Sequence, residues 1–108
     1  MPVDVKNFFS DLKSAVARFP NKAKKIGGSY QINVIGVGSW GIDLAVPSII
    51  DGRLVDPSTT VDISEDDFQR LLVDHGAAMK LYFAGKLMVT GKNQLLALNL
   101  PKLLSLGK

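Results

Sequence analysis

Apolar residues recur every three or four positions at the start of the chain, at Val5, Phe8, Phe9, Leu12, Ala15, Val16 and Phe19, and this spacing predicts an amphipathic helix. Asp4 stands where it can cap that helix and Pro20 where it stops the pattern, while Lys6, Asp11, Lys13 and Arg18 fall on the polar side. Residues 21–25 then read as a basic loop. Beyond it the period drops to two. Tyr30, Ile32 and Val34 alternate with Gln31 and Asn33, and Trp40, Ile42, Leu44 and Val46 alternate with Gly41, Asp43 and Ala45. Two half-buried strands are predicted, joined through Gly36 and Gly38. Two shorter strands are expected within residues 49–55 and 59–63, separated by Asp56-Pro57.

Ser64 followed by Glu65, Asp66 and Asp67 has the form of a helix start, with a hydroxyl cap and an acidic first turn suited to the helix dipole. Phe68, Leu71 and Leu72 form its apolar stripe, and Gly76 is expected to end it. Residues 77–84 predict a further short helix closed by Gly85, and Leu87 and Val89 a fifth strand. The tail is unusual. Seven of the twelve residues from 95 to 106 are Leu, more than one packed helical face holds, and Pro101 interrupts the run. A bound lipid, a partner subunit or a membrane surface must cover the remainder. A helix, four strands, then helices around one more strand predict an α+β domain with a mostly antiparallel five-stranded sheet and helices on one face.

Composition narrows the reading. At 108 residues the chain is expected to be a single domain, 1–108, large enough to bury a core without disulfides, and it contains no Cys to form them. The longest uncharged stretch, residues 26–42, holds five Gly and does not read as a membrane-spanning helix. With no basic and apolar leader at the N-terminus, and a C-terminus that is not Ser-Lys-Leu, a cytoplasmic location is the expectation. The net charge of +3 is unevenly spread: residues 1–25 and 86–108 are net basic, residues 26–85 net acidic. Basic ends suit an anionic membrane surface. They lack the interleaved aromatics and motif spacing of a nucleic-acid binder.

Catalytic candidates are few. The single histidine, His75, stands beside Gly76, where it reads as a helix-end contact, and no nucleophile motif accompanies it. Asp43 interrupts an apolar strand, but alternation turns it away from Trp40 and Ile42. Glu65, Asp66 and Asp67 are consecutive in one helical turn and lack the spacing of a metal site. Gly27-Gly28 and Gly36-Val37-Gly38 read as turns rather than a phosphate cradle. No cofactor, metal or catalytic residue is expected.

Four segments in order resemble the sterol carrier protein 2 family: Lys24-Lys25-Ile26-Gly27-Gly28, Trp40-Gly41-Ile42-Asp43-Leu44, Asp66-Asp67-Phe68, and Phe83-Ala84-Gly85-Lys86-Leu87-Met88-Val89-Thr90-Gly91. The last is similar to the family's Phe-x-Gly-Lys-Leu-x-(Ile/Val)-x-Gly signature. The resemblance covers residues 24–100. It implies an apolar tunnel between sheet and helices that carries a fatty acyl chain, acyl-CoA, sterol or phospholipid, with the leucine-rich tail closing it. It also implies binding and transfer rather than catalysis. The alternative is an accessory protein holding an isoprenoid, quinone or polyketide-like lipid for a membrane-associated enzyme.

On that reading the expected lining is Phe68, Leu72, Met79, Phe83, Leu87, Val89, Leu95, Leu96 and Leu103, Met79 being favoured for its adaptable thioether. Membrane contact is expected at Lys22, Lys24, Lys25 and Lys102, with Lys6 and Lys13 contributing. The chain is expected to act as a monomer or weak dimer, with a lipid ligand and a transient anionic membrane as its partners.

Overall fold

The computed structural model describes residues 4–74, 76–93 and 99–106, apart from the side chain of Pro101. The elements run α1 (Val5–Arg18), α2 (Pro20–Ile26), β1 (Ser29–Ile35), β2 (Gly38–Asp43), β3 (Ser48–Asp51), β4 (Thr59–Ser64), α3 (Glu65–Val73), α4 (Ala77–Phe83), β5 (Leu87–Thr90) and α5 (Leu100–Ser105). The five strands form one sheet in the order β3-β2-β1-β4-β5. Three of its pairings are antiparallel, and β1 with β4 is parallel.

That parallel pair determines how the sheet is covered. Chain direction at the end of β3 is the same as at the start of β4, so residues 52–58 must cross the sheet diagonally to reach the far side of β1. They cross over its polar face. The buried Gln31 amide holds the crossover from both ends of its side chain, Nε2 donating to the Gly52 carbonyl (2.9 Å) and Oε1 accepting from the Leu54 amide (2.8 Å). Leu54 lies over Gly41, where a Cβ would stand 2.6 Å from Leu54 Cγ. The Ser29 hydroxyl accepts from the Ser58 amide at the end of the crossing.

The opposite face is apolar and carries the helices. Tyr30, Ile32 and Val34 of β1, Trp40 and Ile42 of β2, Ile49 of β3, and Val61 and Ile63 of β4 are buried there. They meet Val5, Phe8, Phe9, Leu12 and Val16 of α1, Phe68, Leu71 and Leu72 of α3, and Leu100, Leu103 and Leu104 of α5. At the centre Phe9 stacks on Trp40, with ring centroids 4.2 Å apart, and on Phe68 at 5.5 Å. Such aromatic pairs contribute about 0.5–1.5 kcal/mol each beyond area burial.

Caps follow the expected chemistry at both long helices. Asp4 Oδ1 accepts from the Asn7 amide, and Ser64 Oγ accepts from the Asp67 amide. Several boundaries differ from the pattern reading. Residues 21–25 are helical, because Pro20 ends α1 but is itself compatible with the first turn of α2. Pro101 likewise lies in the first turn of α5, so it begins a helix where an interruption was expected. Val46 falls in the turn after β2 and is exposed, and Phe19 sits between α1 and α2 with Lys22 Nζ 5.1 Å above its ring. Val55 projects from the crossover rather than pairing in β3. The third helix ends at Val73, earlier than Gly76, with Asp74 Oδ1 accepting from the Gly76 amide.

Candidate functional site

The signature segment runs from the last residue of α4 through β5 to Gly91. Gly85 has φ +75 just past α4, where its amide donates to the Tyr82 carbonyl and the Lys86 amide to the Leu81 carbonyl, which is a Schellman ending that favours glycine. Leu87 and Val89 pair with Ile63 and Val61 and so face the helix layer. Gly91, at φ +114, passes so close to the start of β4 that a Cβ would stand 2.8 Å from the Ser58 carbonyl oxygen. Both glycines and both apolar strand residues are therefore accounted for by folding alone. Phe83 is not: it is 78% exposed.

Of the expected lining residues, Phe68, Leu72, Leu87 and Leu103 are buried in one apolar cluster, and the half-buried Val89 packs against it. The layer between the sheet and α3, α4 and α5 thus brings five of the nine together. Met79 and Phe83 lie instead on the outer side of α4. Leu95 and Leu96 are outside the described residues. The expected tunnel would be closed by the leucine-rich tail, of which residues 94–98 are outside the described residues. A cleft of about 450 Å³ lies elsewhere, between α1 and the β2–β3 edge, with Lys6, Lys13 and Asp51 around Phe9, Trp40 and Ile49.

The expected membrane-contact lysines gather by element. Lys22, Lys24 and Lys25 are exposed on α2, Lys102 is exposed on α5, and these two helices pack against each other. Asp43 lies on the polar face and its Oδ1 accepts from the Ala45 amide at 3.0 Å, which ties the turn after β2. His75 lies outside the described residues. Among the described residues no group of three potential metal ligands occurs, and no helix is long and apolar enough to cross a membrane.

One polar feature inside the apolar layer escaped the pattern reading. The fully buried Tyr30 donates its hydroxyl hydrogen to the Gly27 carbonyl (2.7 Å) and accepts from Asn99 Nδ2 (3.4 Å), linking β1, the end of α2 and the start of α5. Burial pushes the Tyr30 hydroxyl above its ordinary pKa, and the Asn99 hydrogen bond partly opposes that. Alternation marks Tyr30 as inward-facing, but nothing in the sequence pairs it with a residue 69 positions away.

Comparison with solved structures places this arrangement among known folds. Sterol carrier protein 2 from Yarrowia lipolytica in its apo form is similar with a TM-score of 0.74 at 21% identity, covering 92% of this chain and 88% of that one. Palmitated SCP2L2 from Aedes aegypti gives a TM-score of 0.70 at 25% identity, covering 94% of this chain and 95% of that one. The ubiquinone synthesis protein UbiJ-SCP2 gives 0.66 at 17% identity, covering 92% and 94%. A sequence comparison with curated proteins finds no significant match. The model of the SCP-2 sterol transfer family matches residues 9–105, from the second turn of α1 to the last residue of α5. By that match, across nearly its whole length, the chain belongs to the SCP-2 sterol transfer family.

Proposed function

We propose that this protein binds an acyl lipid in the layer between the apolar sheet face and helices α3, α4 and α5, and transfers it between membranes without converting it. The family match over residues 9–105 carries the reading, supported by a fold shared with a palmitated protein over 94% of the chain. Phe68, Leu72, Leu87, Val89 and Leu103 are the proposed lining within that layer. Burying an acyl chain contributes about 0.8 kcal/mol per methylene, which the protein must nearly match against a bilayer for transfer to be reversible. Apolar packing of this kind selects chain length and shape, not headgroup. Lys22, Lys24, Lys25 and Lys102 on α2 and α5 provide the proposed approach to anionic membranes.

Titration with a fluorescent fatty acid below its micelle concentration tests the reading. Saturable binding in the micromolar range or tighter, displaced by unlabelled palmitate, is expected. Absence of binding by a chain shown to be folded by circular dichroism would refute it. The fold shared with a ubiquinone synthesis protein is compatible with a second reading, in which the chain holds an isoprenoid or polyketide-like lipid for a membrane-associated enzyme. Native mass spectrometry of the purified protein separates the two by the mass of the lipid retained.

A further inference from the structure

The fold leaves Phe83 unexplained within the signature segment, and it does not stand alone. Met79, Tyr82 and Phe83 are at i, i+3 and i+4 on α4 and share one helical face, all of them substantially exposed, while Ala77 and Leu81 occupy the buried face. The helix is thus apolar on both sides, and the fold uses one. Tyr82 and Phe83 meet edge to face, with ring centroids 5.7 Å apart, and form one outward aromatic patch. Lys80 and Lys86 are exposed beside it, and residues 76–91 contain no Asp or Glu.

We infer that the outer face of α4 is a membrane-docking surface, in which Met79, Tyr82 and Phe83 enter the headgroup region of an anionic bilayer and Lys80 and Lys86 engage lipid phosphates. Aromatic side chains settle at the level of the headgroups, where an apolar ring and a polar edge are both satisfied, and Tyr82 beside Phe83 supplies that combination. Lysines flanking an apolar face are the usual complement of an anionic surface. A second copy of the chain is disfavoured as occupant, because a two-fold contact would bring cations of one sign together with no acid among residues 76–91 to pair them.

The inference rests on the lipid-transfer reading, since docking at α4 places the membrane against the helix that covers one side of the proposed lipid layer. Its test uses the full chain with vesicles of phosphatidylcholine alone or mixed with phosphatidylglycerol. Phe83→Trp should show a blue-shifted emission and quenching by brominated lipid on the mixed vesicles, whereas Val55→Trp, at a fully exposed position of the crossover, should show neither. The double variant Tyr82→Ser/Phe83→Ser should lower vesicle affinity about tenfold or more, and Lys80→Glu/Lys86→Glu should do so only on the mixed vesicles. Both variants should bind soluble fatty acid as the parent does.

A Phe83→Trp variant that is folded but neither shifts nor is quenched overturns the inference, as does a double serine variant that binds vesicles within twofold of the parent. So does a dimer of the parent chain that Phe83→Ser converts to monomer, which would make the face a subunit contact. Vesicle binding with no fatty-acid binding would remove the carrier function and leave the docking surface standing. Fatty-acid binding without contact at α4 would do the reverse.

Discussion

Substituting Gly41 by Ala gives opposite signs depending on whether the crossover lies on the sheet. In a strand interior, a Gly whose backbone suits other residues is usually improved by Ala, which reduces the freedom of the unfolded chain and stabilises by about 0.4–1 kcal/mol. Here the added Cβ would stand 2.6 Å from Leu54 Cγ, 3.1 Å from its Cδ2 and 3.2 Å from Ile50 Cγ1. Relief requires Leu54 to shift, but the Leu54 amide is held by Gln31 Oε1 at 2.8 Å, so the backbone carrying the side chain resists. Overpacking of this kind costs about 1–3 kcal/mol. Gly41→Ala should therefore destabilise. In a Leu54→Ala background the nearest atoms are gone and the same substitution should cost little or stabilise, giving a coupling of about 1–3 kcal/mol between the two sites. Urea unfolding of the four proteins, followed by circular dichroism with m-values compared, measures it. An equal effect of Gly41→Ala in both backgrounds, or a stabilised single variant, would refute the placement of the crossover over β2.

Three further outcomes are expected. Tyr30→Phe should cost about 1 kcal/mol near neutral pH, from its bond to the Gly27 carbonyl. Because burial raises the Tyr30 pKa in the folded state, the parent should lose stability as pH climbs past about 10, the unfolded tyrosine value, and Tyr30→Phe should lack that share of the loss; parallel pH profiles of urea midpoints would contradict this. Reversing Lys22, Lys24 and Lys25 to Glu should slow vesicle-to-vesicle transfer to anionic acceptors while sparing affinity for monomeric fatty acid; an equal fall in both quantities would place these lysines at the ligand headgroup. Leu103→Ala should cost about 2–5 kcal/mol and tighten palmitate binding by opening room in the layer, whereas an unchanged affinity in a folded variant would remove α5 from the proposed lining.

The elements legible in the sequence were those whose burial is one-sided. The stripe Val5, Phe8, Phe9, Leu12 and Val16, and the alternation Tyr30, Ile32 and Val34, are direct prints of a helix and a strand that each bury one face. Ser64 and Asp4 were readable because a capping hydroxyl or carboxylate acts within three residues. What was not legible depends on partners far along the chain. Gly41 reads as a weak strand residue until Leu54 is known to lie over it, and Gln31 as a solvent-facing residue until the crossover buries it. Pro20 does end α1, but the sequence does not say that Pro20 and Pro101 each also open the helix that follows. For the lining, helical spacing marks Met79 and Phe83 as readily as Leu72, yet the layer takes up Ala77 and Leu81 from α4 and leaves the other two outside.

The two sides of the sheet are closed by different kinds of interaction, and that difference bears on where a lipid can enter. On the polar face the crossover is fastened by directional bonds from Gln31 to Gly52, from Leu54 to Gln31 and from Ser58 to Ser29, and by the Lys92–Asp56 ion pair near its end. Lifting it would leave the buried Gln31 amide without partners, which costs about 1–3 kcal/mol for each group stranded. On the helix face Phe68, Leu72, Leu87 and Leu103 meet through apolar contacts. Those contacts have no donors to strand, and an acyl chain can replace them with contacts of the same kind. With an acyl chain taking their place, separation of the helices from the sheet strands fewer polar groups than lifting the crossover does. The Tyr30–Asn99 bond across that layer, at 3.4 Å, is a weak restraint on α5 compared with the shorter bonds that hold the crossover.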